Sequence, residues 1–278
     1  MPVRFFAPAK LNLSLDLGPM RSDGYHEIRS VMQAVSLGDR LHVLPAPSFR
    51  LDNPDVRQGD LVARAAEVFR QATGVVPSVA ISVRKRIPIG AGLGGGSSDA
   101  ACALRALRDV LLPRLPDNEL MQLGSAVGSD VPFFLGPAPR ALVSGRGEVL
   151  SPLPAAMPRY VVIAWPGAPL ATADVYRAST SGGGDATDRV LAGCETGPND
   201  LEPAAARLSP PLATLLARSR VAGVALQVTG SGSAAFALYP DGPAATAALR
   251  ALRPLAPRAI LCRTLEAWPW REAARPGS

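Results

Sequence analysis

Pro88-Ile89-Gly90-Ala91-Gly92-Leu93-Gly94-Gly95-Gly96-Ser97-Ser98 stands between an alternating apolar run and a helical stripe, and this order decides how the chain is read. Ahead of it, Val79, Ile81, Val83 and Ile87 fall on one face of an extended segment, which Pro88 ends because proline cannot donate to a sheet ladder. Behind it, Ala103, Leu107, Val110 and Leu111 form the stripe of a helix predicted over 99–112, with Ser97 or Ser98 as its N-cap. Five glycines fall within residues 90–96, so backbone amides there can approach an anion closely, and the helix that follows adds the positive end of its dipole. The segment reads as a phosphate site. Gly90-x-Gly92-x-x-Gly95 formally matches the dinucleotide fingerprint, but the nearest acidic candidate, Asp109, lies inside the helix and not at the end of a following strand. A Walker loop is excluded because no lysine follows the glycines.

Working outward, Leu11, Leu13, Leu15 and Leu17 alternate with Lys10, Asn12, Ser14 and Asp16, the pattern of a half-buried strand that points Lys10 and Asn12 the same way. Asp23-Gly24 is a turn that delivers Tyr25 and His26 to a second extended run over 28–35. A helix is predicted over 60–73 with Gly74 as its stop, and another over 118–127, capped by Asp117 and ended by Gly128. Asp130 then sits in a turn before Val131-Pro132. A hairpin over 140–150 lies in a Pro-rich stretch, where the boundary between domains 1–153 and 154–278 is placed. Beyond it come strands over 160–165, 224–228, 234–238 and 259–265, a glycine-rich surface loop over 181–188, a tight turn at Thr229-Gly230-Ser231-Gly232-Ser233, and a helix over 243–252. The fold class is α+β.

The composition, 47% hydrophobic and 19% charged over 278 residues, excludes a disordered or collagen-like chain. No apolar run approaches the roughly 20 residues of a membrane span, and Lys10 interrupts the N-terminal apolar stretch where a signal peptide would need it unbroken. Three cysteines, Cys102, Cys194 and Cys262, show no metal-site spacing and read as structural in a reducing, cytoplasmic setting. The net charge of +6 comes from scattered arginines, so an anionic small ligand is expected before a nucleic acid. Lysine occurs only at Lys10 and Lys85, and its compact charge, whose pKa moves readily on burial, gives both positions a reason to be noticed. Taken singly, Asp130 as a turn-former, Lys10 as a solvated strand residue, Tyr25-His26 as packing and 229–233 as a hairpin turn remain open readings.

Together, Pro8-Ala9-Lys10-Leu11-Asn12, Asp23-Gly24-Tyr25-His26, the glycine loop continuing into Asp99-Ala100-Ala101, Gly128-Ser129-Asp130-Val131-Pro132 and Thr229-Gly230-Ser231-Gly232 resemble the GHMP kinases. The resemblance runs from Pro8 to about Leu238. It implies a ribosomal-protein-like N-terminal domain and a ferredoxin-like C-terminal domain, with ATP and an acceptor in the cleft between them. It further implies that Pro88 to Ser98 hold the ATP phosphates, that Asp130 is the catalytic base, and that Lys10 lies beside it. Mg²⁺ would accompany ATP, with Ser98 a candidate contact and no dedicated cage visible. The Gly24-Tyr25-His26 junction and the Asp130 turn resemble those of the member acting on a cytidine diphosphate-linked methylerythritol. Tyr25 and His26 would then meet the cytosine, Tyr176 would stack on it, and Asn12 with Thr229 to Gly232 would complete the substrate site. No membrane or nucleic-acid partner is expected, although a basic RNA-binding module stays as the reading from another class. Homoserine or mevalonate as acceptor is the nearer alternative.

Overall fold

The computed structural model describes residues 3–22, 24–55, 59–182 and 184–270. Two sheets organise them. The first has seven strands: β1 (Val3–Asn12), β2 (Asp16–Met20), β3 (His26–Pro45), β4 (Arg50–Asp52), β5 (Val79–Arg84), β6 (Arg140–Gly145) and β7 (Val149–Pro152). Its spine is β3, twenty residues long, with β1 and β2 along one side and β5 and β6 along the other; only β4 and β5 pair parallel. Helices α1 (Leu61–Thr73), α2 (Gly95–Leu111), α3 (Asp117–Val127) and α4 (Val131–Leu135) cover one face. Their apolar stripes, Val62, Ala65, Phe69, Leu104, Leu107 and Phe133 among them, share a core with Phe5, Leu41, Val43 and Ile81 of the sheet. Asp60 caps α1 by accepting from the Val62 amide, and Gly74 ends it at φ 71°.

The second sheet runs in the order β11 (Arg258–Arg263), β8 (Tyr160–Trp165), β10 (Ala235–Tyr239), β9 (Gln227–Val228) and is antiparallel throughout. It carries α5 (Thr172–Ala178), α6 (Ala186–Leu191), α7 (Glu202–Leu208), α8 (Pro210–Val221) and α9 (Gly242–Leu252). Sheet-facing Val162, Ala164 and Val228 pack there with Leu201, Leu212 and Leu252. A third cluster joins the two sheets: Ala9, Leu11, Val31 and Val35 of the first meet Val161, Ile163 and Phe236 of the second.

A register shift between Pro8 and Ala9 of β1 makes this arrangement possible. Before it, Phe5 and Ala7 face the helices; after it, Ala9 and Leu11 face the second sheet. The exchange of faces turns Lys10 and Asn12 toward the glycine loop, the kind of re-aiming for which bulged strands are used.

Several boundaries move from those expected. The run 11–17 is not one half-buried strand: β1 ends at Asn12, and Lys10, Asn12 and Ser14 are as buried as the leucines because both faces are covered. The strand over 79–87 ends at Arg84, so Pro88 does not stop it, and Ile87 enters the inter-sheet cluster away from Val79, Ile81 and Val83. Pro116 occupies the N-cap of α3 while Asp117 bonds Arg108, and the loop over 181–188 becomes helical at Ala186. The strand over 224–228 shrinks to Gln227–Val228. Helices α5 to α8 had no clear stripe: α5, α6 and α7 span only six or seven residues, too few to display one. Cys102 and Cys262 are buried and unpaired, whereas Cys194 is exposed and fills no core role.

Candidate active site

The glycine loop is held by main-chain bonds to three separate segments. The Leu93 carbonyl accepts from the Lys10 amide at 3.0 Å, Ala91 from Ala234 at 3.0 Å and Gly90 from Leu170 at 3.1 Å. Gly92, at φ +76°, lies so close to the 229–232 turn that a Cβ on it would stand 2.3 Å from the Thr229 carbonyl oxygen. Gly94, at φ +70°, is the N-cap of α2, so the helix opens at Gly95, four residues before the expected start, and Ser97 and Ser98 belong to its first turn. The left-handed backbone that only glycine adopts cheaply makes the difference. The first helical bond runs from the Ser98 amide to Gly94, which leaves the Gly95, Gly96 and Ser97 amides ahead of the ladder, beside a cavity of about 900 Å³. Residues 88–97 line that cavity; Ser98 is fully buried behind it, its hydroxyl without a partner.

Against the loop itself, Lys10 donates to Asn12 Oδ1 at 2.5 Å and lies 3.8 Å from Asp130 Oδ2. Burial lowers the Lys10 pKa, and Asp130 opposes that shift. Asn12 is fixed by its own donation to Ser30 Oγ at 2.8 Å, and its amide donates to Thr229 Oγ1 at 2.9 Å. Asp130 is the N-cap residue of the short α4, with 29% of its side chain exposed. Gly230 and Ser231 line the cavity, and Asn199 steadies their turn by donating to the Val228 and Gly230 carbonyls. Thr229 and Gly232 do not reach the cavity: Thr229 is spent on Asn12, and Gly232 packs toward Val228 and Ala205.

The far end of the same cavity is aromatic. Tyr25 is 57% exposed, with the Arg146 guanidinium 5.0 Å from its ring centre. His26 opens β3, keeps Nδ1 3.1 Å from the Gly18 carbonyl, and holds its ring 6.3 Å from that of Tyr176 on α5. Burial, and then the negative charge of Asp130, push the Tyr176 phenol upward. Asp23 lies outside the described residues.

Sequence reasoning missed one cluster. Lys85 lines the cavity with its ammonium between Asp39 and Asp99, and nothing in local spacing joins positions 39, 85 and 99. The scarcity of lysine was the available signal. Arg146, in the β6–β7 hairpin, was missed as well because one arginine among 27 carries no signal. Among the described residues no group of three or more His, Cys, Asp or Glu could hold a metal ion, and no helix is long and apolar enough to cross a membrane.

A carboxylate paired with lysine beside a glycine loop at a helix N-terminus suits phosphoryl transfer. Residues 60–136 match the family described as GHMP kinases N terminal domain, and 190–255 match GHMP kinases C terminal. The chain belongs to the GHMP kinases.

As a member of that family it is a kinase with ATP as co-substrate. The 4-diphosphocytidyl-2-C-methyl-D-erythritol kinase of Anaeromyxobacter dehalogenans is 39% identical over 89% of this chain and 84% of its own length. That of Caulobacter vibrioides is 40% identical over 86% and 90%. A crystal structure of 4-(cytidine 5'-diphospho)-2C-methyl-D-erythritol kinase superposes with a TM-score of 0.78 at 38% identity, covering 94% of this chain and 98% of that one. A homoserine kinase from Cytophaga hutchinsonii shares the two-domain fold at 17% identity and a TM-score of 0.70.

Proposed function

We propose that this GHMP kinase transfers the terminal phosphoryl group of ATP to the 2-hydroxyl of 4-diphosphocytidyl-2-C-methyl-D-erythritol, in the cytoplasm, as a step of the non-mevalonate route to isoprenoid precursors. The observation that carries the reading is one cavity in which the Lys10–Asp130 pair lies between the glycine loop and the Tyr25, His26 and Tyr176 rings. An acceptor anchored by its base at the aromatic end places its opposite end toward Asp130. The relatives named for this substrate, matched over most of their length, support it.

In this reading Asp130 accepts the proton of the attacking hydroxyl, and the Lys10 ammonium favours the charge that develops there. The Gly95 to Ser97 amides hold the phosphates while Gly90, Gly92 and Gly94 let the loop approach them. Asn12 orients Lys10, and Gly230 and Ser231 form the wall beside Gly92 and Lys10. Thr229 and Gly232 hold that wall from behind. Mg²⁺ would arrive with the nucleotide and supply charge neutralisation; the Ser98 hydroxyl, an oxygen donor without a partner buried just behind the cavity, would have to turn toward the phosphates to hold it. We place the division between the two domains at Leu153 and Pro154, where the chain crosses from one sheet to the other.

ADP release by the purified protein with Mg-ATP tests this, comparing the cytidyl acceptor with homoserine, mevalonate and no acceptor. Turnover with the cytidyl compound alone is the expected result. Turnover with homoserine or mevalonate would keep the kinase and discard the aromatic end as a cytosine site. Salt-dependent RNA binding without turnover would overturn the reading altogether.

A further inference from the structure

The second lysine has a defined surrounding. Lys85 Nζ lies 2.5 Å from Asp39 Oδ2 and 2.6 Å from Asp99 Oδ2, and the side chains are 8%, 0% and 3% exposed. The other oxygen of Asp39 accepts from the backbone amides of Arg86 and Ile87, the latter at 2.8 Å. Asp39 belongs to β3, Lys85 follows β5, and Asp99 lies in the second turn of α2. The three side chains thus tie the chain entering the glycine loop to the helix leaving it, with β3 as the fixed point.

Such a cluster is a poor way to gain stability, because two carboxyl groups and one ammonium are all withdrawn from water, and burial pushes the Asp99 carboxyl up to about 8 even with Lys85 against it. Burial opposes the ammonium of Lys85, but Asp99 and then Asp39 outweigh it and hold its pKa above the ordinary value. The Gly95 backbone sits against it: a Cβ there would lie 3.4 Å from Nζ.

We infer that Asp39, Lys85 and Asp99 form a positioning clamp that keeps the two ends of the glycine loop at the separation at which the Gly95, Gly96 and Ser97 amides converge on phosphate. The inference rests on the reading of that loop as the ATP site. Asp39 is the informative member. It is fully buried and does not line the cavity, so it reaches the nucleotide only through the loop.

Asp39→Asn keeps an acceptor for the Arg86 and Ile87 amides but breaks the charge link. The KM for ATP should rise about tenfold or more, the scale of one charge-assisted hydrogen bond, with kcat and the acceptor KM within about threefold. The triple variant Asp39→Asn, Lys85→Met, Asp99→Asn removes every charge of the cluster, so no ion is left buried without a partner. It should melt close to the wild type yet keep the raised KM for ATP, and it carries the test if the single variant does not fold. An unchanged KM for ATP in both variants, an equal rise for ATP and acceptor, or recovery of ATP affinity in the triple variant would each overturn the clamp. Absence of turnover in the wild type would instead overturn the kinase reading on which it stands.

Discussion

The two ends of the cavity are built on opposite plans. At the nucleotide end the ligand-facing groups are backbone amides, the loop is stitched to Lys10, Leu170 and Ala234 by main-chain bonds, and a buried charge cluster braces it. At the acceptor end the facing groups are side chains from three distant elements, Tyr25 before β3, Arg146 in a hairpin turn and Tyr176 on α5, with Tyr25 more than half exposed and the His26 and Tyr176 rings 6.3 Å apart. On the proposed reading, the first end is fixed before ATP arrives and the second has room to close on its ligand. Substitutions of the loop glycines should therefore cost stability and nucleotide affinity together, and substitutions of the aromatic side chains acceptor affinity alone.

The largest effect belongs to the residue where the ends meet. Asp130→Asn should lower kcat by about 10²- to 10⁴-fold, roughly 3 to 5 kcal/mol of barrier, with ATP binding nearly unchanged. Steady-state kinetics with both substrates varied would check it, and a mutant within a few-fold of wild type would remove Asp130 from the chemistry.

The comparison itself is broken or kept by a pair of variants. Gly92→Ala puts a side chain at a left-handed backbone and against the Thr229 carbonyl, so it should destabilise by about 2 kcal/mol or more and raise the KM for ATP. At 278 residues that corresponds to a fall in Tm of about 3 to 4 °C or more by calorimetry. Tyr25→Ala, at an exposed ring, should leave Tm within about 1 °C and raise the acceptor KM by about tenfold, the loss of one stacking contact. If Tyr25→Ala melted as early as Gly92→Ala, the acceptor end would be as structurally committed as the loop.

How much was legible in the sequence follows the same division. The glycine loop stood out because so many glycines fall together, whereas Asp130 and Lys10, open readings when taken singly, were named by resemblance. The α2 start was misplaced by four residues, since serine is the commoner cap and the left-handed Gly94 leaves no mark of its own. The burial of Lys10 and Asn12 was hidden because alternation shows two faces without showing that the second sheet and the helices cover both. The Asp39–Lys85–Asp99 cluster was hidden because its carboxyl groups lie 46 residues before and 14 residues after the lysine, and only folding brings them together. Short helices such as α5, which carries Tyr176, give too few turns for a stripe, so that ring could be named by resemblance and not by pattern.

The smallest expected effect is a shift along the pH axis, and it sharpens the contrast at the junction. Lys10 acts as a cation, and burial lowers its pKa below the ordinary lysine value of 10.5 while Asp130 only partly restores it. The charged form is present at low pH and is lost as pH rises through the lowered pKa, so kcat should fall on an alkaline limb that begins below the range of an exposed lysine. Lys10→Arg keeps a charge that alkaline pH does not remove, and its lower kcat should be flat across the same interval. Stability moves with the opposite sign: the unfolded chain binds the proton more tightly than the native one, so the contribution of this group to stability grows as pH rises between the native and unfolded pKa values. A kcat profile and a set of melts over the same alkaline buffers would thus diverge, activity falling while this group's share of stability rises. Parallel losses in both would mean that the limb reports unfolding and not the Lys10 charge.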